Sequence, residues 1–130
     1  MTTRPRIYIA GKMTGQADFN YPAFNSEAAR LRAIGYLVEN PAEGREQPTW
    51  QAYMRQAITQ MMKCDAVALL PGWKDSRGAR IENQLAVDLG IPAKPCSEFA
   101  AKAVNPNCWY CEGRPVLNQA NCDVCQELTV

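Results

Sequence analysis

The fold is decided by residues 66–72, which read AVALLPG and lead into residues 76–82, SRGARIE. A short apolar run that stops at Pro71 and Gly72 predicts a buried strand. The polar segment after it predicts a loop and then a helix that carries Glu82 in its first turns. Because the chain has no histidine, any proton transfer or nucleophilic attack would fall to a carboxylate, tyrosine, cysteine or lysine. Glu82 is the best-placed carboxylate.

The composition indicates one small domain with a short appendage. The chain has 130 residues, of which 47% are hydrophobic, and its 14 basic residues nearly balance 13 acidic ones. This is enough apolar material for a core, and the lack of a basic block argues against a broad nucleic-acid interface. No apolar run reaches membrane-spanning length or resembles a secretory signal. We therefore expect a cytoplasmic protein with no membrane partner.

Strand patterns alternate with helix patterns along the chain. Strands are predicted at residues 6–10, 36–39, 66–70 and 91–93, the last of these interrupted by prolines. Helices are predicted at residues 22–34, 50–63 and 79–89. This alternation predicts a three-layer α/β/α fold of the flavodoxin-like or Rossmann-like kind, with a parallel sheet of four or five strands.

Three loops should meet at one edge of this sheet. They follow the first three predicted strands and comprise residues 11–15, 40–43 and 72–82. In parallel sheets, ligands bind outside the carboxyl ends of the strands. We therefore expect these loops to line one cleft.

The first loop, residues 11–15, reads GKMTG. Small residues after a strand allow backbone N–H groups to approach a phosphate or a sugar closely. A tight turn without any ligand explains the same residues equally well. The glycine spacing fits neither a P-loop nor a dinucleotide fingerprint.

The third loop supplies a possible anion site and a possible nucleophile. Ser76 and Gly78 lie where a helix begins, and the first N–H groups of a helix lack partners within it. One turn further, Glu82 could attack an electrophilic sugar carbon and form a covalent glycosyl intermediate. In the alternative interpretation, Ser76 merely caps the helix and Glu82 pairs with Arg77 or Arg80 at the surface.

Taken together, these segments resemble the nucleoside 2-deoxyribosyltransferase-like proteins, and within them a small, often phage-encoded branch. The resemblance covers roughly residues 5–95. It depends on ordered motifs: YIAGKMTG (8–15), FNYPAF (19–24), NPAE (40–43), WQAYMR (50–55), CDAVALLPGW (64–73) and SRGARIE (76–82).

The resemblance implies cleavage or exchange of the N-glycosidic bond of a 2′-deoxynucleoside or its 5′-monophosphate. It implies that Glu82 attacks C1′, that Tyr8 orients this carboxylate or a sugar hydroxyl, and that Ser76 contacts the 5′-phosphate. The further substrate-binding candidates are Gly11, Lys12, Met13, Asn40, Gly72, Trp73 and Gly78. No organic cofactor is implied. A homo-oligomer is expected, because related enzymes complete their clefts with a neighbouring subunit, and a phage-encoded member would act in the host cytoplasm.

One position departs from the family pattern. Related enzymes usually carry an aspartate on the second helix, which handles the nucleobase or its proton, and Ala57 stands there in this chain. Asp65 is the candidate replacement, with Asp75 and Glu43 as further possibilities. The departure leaves open a non-catalytic nucleotide-binding or sequestering protein on the same fold. Cleavage of ribonucleotides or of nicotinamide dinucleotides also stays open.

The end of the chain carries two CxxC pairs separated by ten residues. The cysteines are Cys108, Cys111, Cys122 and Cys125. In a cytoplasmic chain this pattern favours a structural zinc knuckle over disulfides or free thiols, and zinc would supply the folding free energy of so short a segment. We therefore predict an α/β domain at residues 1–103 and a zinc knuckle at 104–130. An interaction module acting through this knuckle is a further alternative.

Overall fold

The computed structural model describes residues 5–99, which form a parallel sheet with helices on both faces. The strands are β1 (Arg6–Ala10), β2 (Leu37–Glu39), β3 (Ala66–Leu69) and β4 (Ala93–Pro95). The longer helices are α1 (Tyr21–Ala33), α2 (Trp50–Met61) and α3 (Arg77–Asp88). The predicted three-layer α/β fold is confirmed, and the sheet of the described residues has four strands.

The strands run parallel in the order β2-β1-β3-β4. β1 and β3 therefore lie in the middle of the sheet, and all four residues of β3 are buried. A strand covered on both faces needs apolar residues throughout, which explains its unbroken apolar sequence. From β1 the chain crosses to β2, the outer strand on one side of the sheet, and from β3 it crosses to β4, the outer strand on the other side. The switch point between them is where open α/β sheets bind ligands.

The sheet separates two hydrophobic clusters. From β1, Ile7 and Ile9 join the cluster under α1, whereas Tyr8 and Ala10 join the cluster under α2 and α3. This division follows from the period of two along a strand. It places the Tyr8 side chain on the face of the sheet that α2 and α3 cover.

Helix α3 turns one carboxylate inward. Its buried residues are Ala79, Glu82 and Ala86, spaced three and four apart, so that they form one face directed at the sheet. The helix begins after Ser76, whose Oγ accepts a hydrogen bond of 3.1 Å from the backbone N–H of Ala79. The helix therefore carries Glu82 on its core face. The alternative interpretation, in which Glu82 pairs with an arginine at the surface, is wrong.

The predicted zinc knuckle, residues 104–130, lies outside the described residues, as does the predicted domain boundary. Within residues 5–99, no helix combines the length and the apolar character that crossing a membrane requires.

Candidate active site

A cavity of about 380 Å³ lies at the switch point between β1 and β3. Its walls come from the loop after β1, from Pro41 in the loop after β2, from the start of α3 and from the inner face of α2. Seven of the residues proposed from the sequence line it: Tyr8, Gly11, Lys12, Met13, Ser76, Gly78 and Glu82. The structure thus brings residues from distant segments of the chain around one space.

The inner end of the cavity holds a buried carboxyl group. Glu82 is 4% exposed and Tyr8 is 1% exposed, and the Tyr8 hydroxyl donates a hydrogen bond to Oε2 of Glu82. Residues from β1 and α3 meet here because each occupies the inward position of its own element. The bond fixes one carboxylate oxygen and leaves Oε1 for another interaction.

The surroundings of this pair disfavour negative charge. Burial raises the pKa of Glu82 to about 7, although the hydrogen bond from Tyr8 acts in the opposite direction. Burial, followed by the neighbouring Glu82 carboxylate, also raises the pKa of Tyr8 well above its usual value. Among residues 5–99, the ion pairs leave Glu82 without an arginine or lysine partner. The carboxyl group can therefore exchange its proton near neutral pH.

The beginning of α3 forms the more polar wall. Ser76 and Gly78 both line the cavity, and the first backbone N–H groups of a helix attract anions. A Cβ atom on Gly78 would lie 2.9 Å from Sδ of Met54, so a side chain here would require the Met54 side chain to shift. The Arg77 guanidinium lies 4.4 Å from the centre of the Trp50 ring, and Lys12 adds a second cation to the lining. This wall suits a phosphate group.

Helix α2 supplies the adjoining, largely apolar wall. Trp50, Tyr53, Met54 and Ala57 all line the cavity. The Tyr53 hydroxyl donates a hydrogen bond of 3.1 Å to the carbonyl oxygen of Pro41, and burial raises the pKa of Tyr53 to about 12. Ala57, at the position for which the resemblance implies an acid, therefore lines this wall.

The family to which the chain belongs follows from a comparison with family models. The model of the DUF4406 family, described as a domain of unknown function, matches residues 5–94. The chain belongs to this family. No curated protein matches it. The matched segment of this DUF4406 domain runs from β1 into β4 and includes every residue that lines the cavity.

In the DUF4406 domain, Asp65 lies at the amino ends of the strands, whereas the cavity lies at their carboxyl ends. It immediately precedes β3, and its Oδ2 accepts a hydrogen bond of 2.8 Å from the backbone N–H of Arg6, where β1 begins. The cavity opens at the carboxyl ends of these strands. Asp65 therefore links the beginnings of β1 and β3, away from the cavity, and is not placed for catalysis there.

Three predicted binding residues also lie outside the cavity lining: Asn40, Gly72 and Trp73. Asn40 is buried, and its side chain accepts a hydrogen bond of 3.0 Å from the N–H of Ala42 and donates one of 2.9 Å to Asn25. It organises the loop after β2. Gly72 turns the chain after β3 with a φ of 84°, which favours glycine.

Of the other replacements considered for the missing acid, only Asp75 reaches the cavity. Glu43 pairs with Arg32 at 3.0 Å instead. Asp75 lines the cavity but is exposed to solvent.

A second cavity of about 330 Å³ adjoins the first in the DUF4406 domain. The two share four lining residues, namely Met13, Thr14, Trp50 and Tyr53, and the second is further lined by Phe19 and Tyr21. The aromatic residues of α2 are not among the site residues proposed from the sequence. The signal that could have identified Tyr53 is its spacing from Ala57, because residues four apart share a helix face.

Proposed function

We propose that this DUF4406 domain cleaves or transfers at the N-glycosidic bond of a 2′-deoxynucleoside or its 5′-monophosphate. The observation that carries the proposal is the buried Glu82 carboxyl group, hydrogen-bonded by Tyr8 at the inner end of the cavity. A carboxyl group in such a place can serve as a nucleophile when it is ionised or as a proton donor when it is protonated. The resemblance of the surrounding motifs to deoxyribosyltransferase-like proteins supports the first role.

In this mechanism the ionised Glu82 attacks C1′ of the sugar. The bond between C1′ and the base nitrogen breaks, its electron pair leaves with the base, and an ester joins the sugar to Glu82. Water or a second base then attacks C1′ and releases the carboxylate. The Tyr8 hydroxyl holds Oε2 and favours the ionised form, so that Oε1 is available for the attack.

The start of α3 would hold the 5′-phosphate. Gly78 and Glu82 are four residues apart, which corresponds to a rise of about 6 Å along the helix. This is comparable with the span from C1′ to the 5′-phosphate of a nucleotide. The N–H groups near Ser76, together with Lys12 and Arg77, would then bind the phosphate while Glu82 reaches the sugar.

The aromatic wall of α2 would hold the base. Trp50 and Tyr53 line both cavities, and stacking of a base on an aromatic side chain contributes about 1–3 kcal/mol. The adjoining cavity gives a large base additional room.

The test is the release of free base from a panel of deoxynucleosides and their 5′-monophosphates, followed by chromatography. Wild type is expected to release base, and Glu82→Gln to lower the rate by roughly 10³-fold or more. Asp88→Asn is the matched control, because it makes the same chemical change at an exposed position of the same helix. Base release that survives Glu82→Gln would contradict the proposal.

The position of Ala57 favours one second candidate, a nucleotide-binding protein without catalysis. In that case the same panel would show binding by calorimetry and no base release. Phosphate-dependent binding that Glu82→Gln leaves intact would support this candidate.

We also propose that Cys108, Cys111, Cys122 and Cys125 bind one structural zinc ion, as their spacing suggests. Metal analysis of the purified full chain should give about one zinc per chain. Replacing the first cysteine pair by serine should remove it. A metal-free chain that still folds over its whole length would contradict this assignment.

A further inference from the structure

We propose that the cavity selects N-glycosides whose base carries a positive charge, such as N-alkylated purine nucleotides or pyridinium nucleotides. This inference rests on the proposed glycosidic function and names its substrate class. Three features of the cavity carry it: a buried carboxyl group whose hydrogen-bond partner is neutral, an aromatic wall beside it, and an alanine on the helix that faces it.

The first feature is the electrostatic state of the inner end. The hydrogen bond that Glu82 receives comes from the neutral Tyr8 hydroxyl, and no ion pair in residues 5–99 involves it. A buried charge without a counter-charge is costly. A cationic base beside Glu82 would supply that counter-charge and favour the ionised nucleophile.

The other charged groups that line the cavity lie in the loop after β1 and around the beginning of α3. Lys12, Asp75 and Arg77 line the cavity, and both Asp75 and Arg77 are exposed to solvent. A 5′-phosphate would neutralise the two cations. The carboxyl group of Glu82 then dominates the field at the sugar and the base.

The second feature is the aromatic wall. Trp50 and Tyr53 line the cavity, and a cation over an aromatic ring gains about 0.5–2 kcal/mol. The Arg77 guanidinium already covers the Trp50 ring at 4.4 Å, so Tyr53 is the ring of this wall that would stack on a cationic base. A planar cationic base would combine stacking with this attraction.

The third feature concerns the leaving group. A neutral base leaves as an anion and needs a proton, for which α2 offers Ala57 at the facing position. Tyr53 is one turn away, but its hydroxyl donates to Pro41 and its pKa of about 12 makes it a poor acid.

A cationic base needs no such proton. The electron pair of the breaking bond neutralises the ring nitrogen, while Oε1 of Glu82 bonds to C1′. Water then attacks C1′, restores the carboxylate and releases one proton to solvent.

The test compares two nucleotides that differ by one methyl group and one charge: 7-methyl-2′-deoxyguanosine 5′-monophosphate and 2′-deoxyguanosine 5′-monophosphate. Base release is measured with wild type and with Glu82→Gln, and the spontaneous release without protein is subtracted from both. We expect kcat/KM to be at least about 100-fold higher for the methylated nucleotide, which is the lower range of what a general acid contributes.

Equal rates for the two nucleotides, both abolished by Glu82→Gln, would overturn this inference and leave the proposed function standing. If no nucleotide of the pair or of the wider panel is cleaved, both proposals fail. A preference that Glu82→Gln preserves would likewise overturn the inference, because the carboxylate is its cause.

A second variant tests the leaving-group argument separately. Ala57→Asp places a carboxyl group near Glu82, and two adjacent buried carboxyl groups do not both ionise, so one keeps a proton that it can donate. We expect kcat/KM for the unmethylated nucleotide to rise about tenfold or more. The preference for the methylated nucleotide over the unmethylated one should therefore become smaller. A folded Ala57→Asp protein whose preference is unchanged would contradict this part of the inference.

Discussion

Replacing Glu82 by glutamine should change how the stability of the domain depends on pH. In the folded chain, burial raises the pKa of Glu82 to about 7 from an ordinary value of 4.5. The folded state therefore binds a proton between these pH values that the unfolded state has lost. The free energy of unfolding must then fall as the pH rises through this window. The stabilising contribution is complete below about pH 4.5 and is gone above about pH 7.

The size of this effect follows from the same two values. The difference between the pKa values of 4.5 and about 7 changes the free energy of unfolding by about 3 kcal/mol. About 2.5 kcal/mol of this change occurs between pH 5 and pH 8. Glutamine cannot ionise, so Glu82→Gln should lack this loss. Relative to wild type, the variant should therefore become more stable by about 2.5 kcal/mol on going from pH 5 to pH 8.

Urea denaturation at several pH values measures this difference, and the contributions of all other titrating groups cancel between the two proteins. Asp88→Asn is the control, because Asp88 is exposed on the same helix and its replacement should leave the wild-type pH dependence in place. Parallel stability curves for wild type and Glu82→Gln would refute the reasoning, since they would mean that folding does not desolvate Glu82.

Three further predictions concern catalysis and binding. The value of kcat/KM should rise with pH to a plateau above about 7, because the nucleophile must ionise, and a flat profile would contradict this. Tyr8→Phe should move that rise to higher pH by removing the bond that favours ionised Glu82, whereas Tyr36→Phe, in the cluster on the other face, should not. Ser76→Ala and Thr49→Ala each remove a helix cap and should each cost about 1 kcal/mol in denaturation. Only Ser76→Ala should raise KM for monophosphates more than for nucleosides. If Ser76→Ala changes both KM values equally, Ser76 does not contact the phosphate.

The sequence was most informative about the fold where a local pattern had one physical meaning. The unbroken apolar run of β3 predicts a strand covered on both faces, and the structure places it in the middle of the sheet. The ends of the elements were less predictable. Helix α3 begins at Arg77, two residues before the predicted start, because Ser76 rather than a later residue caps it.

The site was harder to predict because its contacts are not local. The spacing of Ala79, Glu82 and Ala86 indicates one helix face, but a carboxylate on that face also fits an exposed position. Its partner Tyr8 lies on another element, so that only the assembled sheet distinguishes the two arrangements. Tyr53 is not among the residues proposed from the sequence, because aromatic residues at helical spacing usually belong to a core.

Asp65 shows a limit of reading roles from sequence position. The residue is close in sequence to a strand whose other end borders the cavity. The cavity lies at the carboxyl ends of the strands, whereas Asp65 lies at their amino ends, where it contacts the beginning of β1. Here the direction of the strand decides the position of a side chain.

The most direct test of the central claim is intact-protein mass spectrometry after incubation with a 2′-fluoroarabinosyl nucleotide that carries the base released fastest. Fluorine at C2′ destabilises the oxocarbenium-like transition states, so that a covalent intermediate accumulates. We predict one added sugar phosphate, located by proteolysis on the peptide that contains Glu82 and absent from Glu82→Gln. Base release from this nucleotide without any adduct, or an adduct on another residue, would contradict the account.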